Sequence, residues 1–297
     1  TQRSTLFPYT TLFRSPGFVD PQLNLARLEI AARQDQAAAK RLSAILKNND
    51  KHVDTLIEAG QFSAAMGRTE EATRLLTRAA DLSTNPNDLQ AGLALFEYHL
   101  RGGRLPAAQE AVKRLQTKAP DDLMVVIASA RVALATKNPE GARAALTNAA
   151  RLANFDAEML TKIALLQMVA SDPKAAAYTL SKALQGDPQH LPALALLGDA
   201  EVQLGDLASA EKRAREIAAR HPRKAVGHAL LGDVAAARGQ WPAALEAYRK
   251  SHAAEPSTTS ALRLQRALSV KDVPAAIQFA DQWLKQRPQD LQVRRLQ

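Results

Sequence analysis

No cysteine occurs anywhere in the 297 residues, so disulfides and thiolate metal sites are excluded. That absence is compatible with an oxidising compartment without establishing one. Glycine and proline are few, at 13 and 15, and aromatics make up 4% of the chain. β-Branched residues are scarce as well, which leaves little material for a sheet. No run approaches the ~18 consecutive apolar residues of a membrane span. No basic segment followed by an apolar stretch marks a secretory leader. Patterns that carry chemistry are missing too. The six histidines, His52, His99, His190, His221, His228 and His252, form no H-E-x-x-H pair and no cluster at helical ligand spacing. There is no glycine-rich phosphate loop, since Gly102-Gly103 reads as a helix-ending turn, and there is no G-x-S-x-G elbow. No catalytic, cofactor or metal residue is assigned, and the chain is read as a non-enzyme.

What is present forms helices. Ala, Leu, Arg, Gln, Glu and Lys dominate, all good helix formers. With 46% hydrophobic residues the chain can bury a sizeable core. The formal charge of +9 is thinly spread, because acidic residues interleave with basic ones along most helical stretches.

Residues Thr1 to Ser15 have a different character. They hold three aromatics, no acid and no helical period. From Thr5 to Ser15 they resemble the in-frame translation of a sequencing adapter, so residues 1–15 are read as a non-native segment outside the fold. Discounting its two arginines, Arg3 and Arg14, lowers the charge from +9 to +7. At the other end, Leu291 to Gln297 begins another helix and stops. The expectation is a fold over 16–297, truncated at both ends.

The alanines give a register. Ala38, Ala72, Ala108, Ala142, Ala176, Ala210, Ala244 and Ala276 succeed one another at intervals of 34, 36, 34, 34, 34, 34 and 32. Pro120, Pro188, Pro222, Pro256 and Pro288 each stand twelve residues after one of them, and Pro86 comes two residues late. With the marker alanine as position 20, units begin near Val19, Val53, Leu89, Leu123, Ala157, Leu191, Ala225 and Ser257. Position 8 is small in six units, as Ala26, Gly60, Ala130, Ala164, Gly198 and Gly232. Small residues at positions 8 and 20 let two antiparallel helices approach closely. Phe96 departs from this, so the third hairpin must splay or its register is off by a turn. Gly67, Gly103, Gly205 and Gly239 fall where a first helix should end in a left-handed residue. Pro106, Pro139, Pro173, Pro242 and Pro274 then open the second helix, with Asn138 and Asp172 placed as caps.

A unit of 34 residues with these small positions and a closing proline resembles the tetratricopeptide repeat. The resemblance covers residues 19–290 and implies an all-α, right-handed α-solenoid of about eight helical hairpins. A narrower resemblance rests on Gly239-Gln-Trp-Pro-Ala-Ala-Leu-Glu-Ala-Tyr-Arg-Lys, Glu255-Pro-Ser and Gln282-Trp-Leu-Lys-Gln-Arg-Pro. These are similar to the exosortase-linked (PEP-CTERM system) repeat lipoproteins. That likeness implies a bacterial envelope or periplasmic location, a role beside exopolysaccharide production and protein sorting, and a membrane link only through a lipid anchor in a missing N-terminal part.

In the tetratricopeptide family the first helices line a concave groove through positions 2, 5, 9, 12 and 13. Carried over, position 9 holds Arg27, Gln61, Glu97, Arg131, Leu165, Asp199 and Asp233, with Ile57, Leu93, Met168 and Val202 nearby. Such a groove suits an extended or helical peptide. Chaperone-binding members carry an asparagine at position 9; none occurs here, which disfavours that role. The run Lys212, Arg213, Arg215, Arg220, Arg223 and Lys224 is basic, yet Glu211 and Glu216 break it and no aromatics interleave to stack on bases. It is read as a solvated helix, and nucleic acid is not an expected partner. Trp241, Tyr248 and Trp283 are read as core. The function expected is a protein-interaction scaffold. The alternatives are a cytoplasmic assembly or regulatory repeat protein, or the repeat part of a larger enzyme subunit.

Overall fold

Helices pair along the chain as hairpins, at the period the alanines mark. The computed structural model describes residues 19–85 and 88–294. The expectations for residues 1–15 and Pro86 therefore lie outside the described residues. Eight first helices are α1 (Val19–Ala31), α3 (Val53–Ala65), α5 (Gln90–Arg101), α7 (Leu123–Ala135), α9 (Ala157–Val169), α11 (Leu191–Leu204), α13 (Ala225–Ala237) and α15 (Thr258–Ser269). Their second helices are α2 (Asp35–Asn48), α4 (Thr69–Leu82), α6 (Leu105–Lys118), α8 (Pro139–Leu152), α10 (Pro173–Gly186), α12 (Leu207–Arg220), α14 (Trp241–Ala254) and α16 (Val273–Gln286). A last turn, α17 (Leu291–Arg294), follows. No strand occurs among the described residues. The all-α hairpin solenoid is the observed class.

The ends of these helices follow from local chemistry. Aspartates before first helices accept from the opening backbone N–H groups: Asp122 from Met124 and Val125, and Asp156 from Met159. Ser257 and Ser260 form a reciprocal capping box at α15. Asn138 and Asp172 cap α8 and α10 as expected, accepting from Gly141 and Ala175. Each of the first seven first helices ends on a left-handed residue at position 15. It is Gly67, Gly103, Gly205 and Gly239 in four units, and Arg33, Lys137 and Ser171 in the other three.

Two compact units divide the chain, residues 1–145 and 146–297. In the first, Leu23, Phe62, Leu76, Phe96 and Val112 belong to one continuous apolar cluster. In the second, smaller clusters form around Ile217 and Leu230, around Tyr248 and Leu264, and around Trp283 and Val293. The eight marker alanines are at most 3% exposed, so the crossing points have no room to spare. A Cβ on Gly60 would come 2.6 Å from the Leu76 side chain of its own hairpin. One on Gly198 would instead meet Leu230 of the next repeat's first helix.

The third hairpin keeps its register. Its first helix ends at Arg101, position 13, as the helices of neighbouring units do. Phe96 is buried, and the close approach has moved about one turn earlier, where a Cβ on Gly92 would lie 2.6 Å from Leu115.

Candidate ligand-binding face

Position 9 recurs on successive first helices, so its side chains stand beside their counterparts in the next repeat. In the first unit this proximity pairs charges. Arg131 donates to Glu97 through both terminal nitrogens, and Glu97 is also 3.5 Å from Arg101. The Arg131 guanidinium carbon lies 5.4 Å from the centre of the Phe96 ring. Arg27 is exposed and donates to Glu58 at 2.7 Å. Gln61 is exposed, whereas Leu93 is half-buried against the apolar cluster. Ile57 is buried, because it turns into that cluster and not toward solvent.

The second unit is different. Leu165 and Val169 on α9 are 54% and 63% exposed, one helical turn apart, with half-buried Met168 between them. Val202, at the position on α11 that Met168 takes on α9, is half-buried against the core around Ile217. Asp199 sits one turn before Val202 and has no hydrogen-bond or salt-bridge partner among the described residues. Burial raises its carboxyl from 3.8 to about 6, with further upward pressure from Asp233 and partial relief from Arg263. Asp233 itself is neutralised: Arg263 donates to it at 3.1 and 2.9 Å, and the Tyr248 hydroxyl donates at 2.8 Å. Burial, and secondarily Asp233, push the Tyr248 hydroxyl well above its ordinary value. Here an uncovered apolar strip stands beside one carboxylate with no assigned partner.

Arg263 and Tyr248 escaped the sequence reading as parts of this face. Arg263 comes 30 residues after Asp233, not 34, so it does not share position 9. Tyr248 is buried as expected for a core aromatic, yet its hydroxyl reaches Asp233 on the first helix of its hairpin. Trp283 is also buried and donates to Asp290 at 2.8 Å, while Trp241 is half-buried.

Half of the basic run on and after α12 is paired. Arg213 holds Glu201 at 3.0 and 2.6 Å, Arg215 and Arg238 share Glu211, and Lys224 lies 3.0 Å from Glu255. These partners lower the Glu211 and Glu255 carboxyls, through Arg238 first for the one and the Ala225 backbone N–H first for the other.

Hairpins of this period, closed by left-handed turns and joined through small crossing residues, define a helical-repeat protein. Family models described as tetratricopeptide repeat match residues 63–126, 127–190 and 168–234, without a gap and over more than half of the chain. The chain belongs to the tetratricopeptide-repeat family. Among solved structures it is similar to a tetratricopeptide repeat protein from Parabacteroides merdae ATCC 43184, with 12% identity, 84% of this chain and 98% of that chain covered, and a TM-score of 0.57. It is also similar to PilW, a widely conserved type IV pilus biogenesis factor, with 18% identity, 68% and 95% covered, and a TM-score of 0.50. At such identities the likeness is one of fold alone. No curated protein sequence matches the chain.

Proposed function

We propose that this chain is a protein-interaction scaffold of a bacterial envelope system, acting beside exopolysaccharide production and protein sorting. Its ligand is an extended or helical peptide held on the first-helix face. Tetratricopeptide repeats are generally non-catalytic scaffolds, which favours binding over chemistry. The observation that carries the reading is the strip of Leu165, Met168, Val169 and Val202, with exposed apolar side chains on a helix face that packs against no further layer. The envelope setting is supported by the motif likeness around Gly239 and Gln282.

A photo-crosslinking amino acid placed at Leu165 should capture a protein in cells of the source organism, and the adduct should disappear when Val202→Asp is added. The same probe at Arg220, exposed on a second helix, should not give that adduct. Equal capture at both positions would remove the first-helix face as the site. Captured partners from the cytoplasm alone would overturn the envelope assignment and favour a cytoplasmic assembly role. Genomic sequence on either side of the coding region supplies a second test, since a lipobox supports the envelope reading and a fused catalytic domain opposes it.

A further inference from the structure

We propose that the second unit also holds a small hydroxylated anion, of the sugar-acid or sugar-phosphate type, in a cavity on its second-helix side. The cavity is about 610 Å³, within the ~300–1,000 Å³ range of small-molecule sites. It lies between α8, α9 and α10, away from the apolar strip, and is lined by Arg151, Gln167, Lys174, Tyr178 and Lys182.

Three features of the lining point to the same ligand. The first is unbalanced charge. Three cations face the space against the single carboxylate of Asp172, which accepts from the Ala175 N–H at the start of α10. Arg151 donates to the Asn148 side chain at 3.0 Å, and Lys182 donates to the Ala150 carbonyl at 2.8 Å, so both are oriented by neutral acceptors. Neither has a carboxylate within ion-pair distance, and Lys174 has no partner among the described residues. Cations fixed in this way match a carboxylate or phosphate. The second feature is Gln167, which is 3% exposed and lines the cavity with its Oε1 lacking any hydrogen-bond donor. A buried acceptor left open is costly, and an O–H or N–H of a ligand satisfies it once rotation of the amide turns the shielded Oε1 toward the cavity. A simple inorganic anion such as sulfate offers no such donor, whereas a hydroxylated one does. The third is Tyr178, whose 76% exposure leaves a flat ring at the rim against which a sugar-sized ring can lie.

Isothermal titration and amide-resonance mapping with glucuronate, glucose 6-phosphate, glucose and inorganic sulfate test the assignment on the full chain. Saturable binding of glucuronate or glucose 6-phosphate, with shifts in α8 and α10, is expected, and the two probes separate a carboxylate from a phosphate source. Glucose and inorganic sulfate should each bind at least about tenfold more weakly, the one lacking charge and the other any hydroxyl donor. Arg151→Gln combined with Lys174→Gln changes only exposed side chains and should abolish anion binding. Gln167→Met removes the orphan acceptor at similar volume. It should leave the free protein at least as stable and weaken the sugar anion about tenfold, while leaving the weak sulfate response unchanged. Sulfate binding as strong as glucose 6-phosphate would overturn the role of Gln167. Absence of binding by both sugar anions, or binding untouched by the Arg151 and Lys174 changes, would overturn the site.

Discussion

Replacing Asp199 by asparagine keeps the shape of the side chain and removes its charge. The carboxyl is raised from 3.8 to about 6, chiefly by burial and then by Asp233, with Arg263 opposing. Between those two values the folded chain holds a proton that the unfolded chain has lost. Stability therefore falls as pH rises from 3.8 to about 6 and is level above that. At ~1.36 kcal/mol per pH unit the full effect is at most about 3 kcal/mol. The Asp199→Asn variant lacks this loss. It should be more stable than the parent by up to about 3 kcal/mol at pH 8, and equal to it near pH 4.

Hydrogen exchange is the right assay, because neighbouring repeats open locally and a single global melt blurs the response. Amides of α11 and α13 should gain protection at pH 8, with the gain fading as the pH approaches 4. An offset between variant and parent that stays constant from pH 4 to pH 8 would refute the reasoning. So would a loss of protection at pH 8, which would mean the ionised carboxylate is held by an attraction stronger than its desolvation.

Lys137 holds φ at +57°, where Gly67, Gly103, Gly205 and Gly239 occupy the equivalent turn of other units. Lys137→Gly should stabilise by about 0.5–1 kcal/mol, as the relief of a left-handed side chain exceeds glycine's entropy cost, and urea titration reads the shift in midpoint. Ala176 is fully buried at a hairpin crossing, so Ala176→Leu should destabilise by about 1–3 kcal/mol, with exchange rising first in α9 and α10 and less in distant repeats. A Cβ on Gly227 would stand 2.5 Å from the Ala218 backbone nitrogen. Backbone cannot rotate aside, so Gly227→Ala should part α12 from α13 at a cost of about 1–3 kcal/mol, visible as faster exchange in both helices.

Much of the hairpin geometry is written at single positions. The marker alanines and the proline spacing set the helix boundaries to within a residue, because a crossing point tolerates one side-chain size and a helix interior tolerates no proline. The left-handed turn at position 15 was readable only where glycine fills it. Arg33, Lys137 and Ser171 adopt the same backbone under the constraint of the hairpin, and no local signal announces it. Phe96 misled for a related reason. A large residue at a small position suggested a displaced register, whereas the chain moved the close approach to Gly92 and kept the helix ends in phase.

The candidate face was legible as a set of positions and much less as chemistry. Position along the repeat fixes which side chains share a face, since the 34-residue period returns each to the same side. It does not fix what they touch. That period also stacks position 9 on position 9, so Glu97 and Arg131 saturate each other across two repeats. Asp233 is taken by Arg263, from an earlier position on the eighth first helix. Asp199 is left over, between apolar Leu165 and the like charge of Asp233. Charges at equivalent positions of consecutive repeats therefore report on the array's own cohesion when their signs alternate. Where the alternation fails, a charge is left without a partner, and here that is Asp199 on α11, on the face we propose for the ligand.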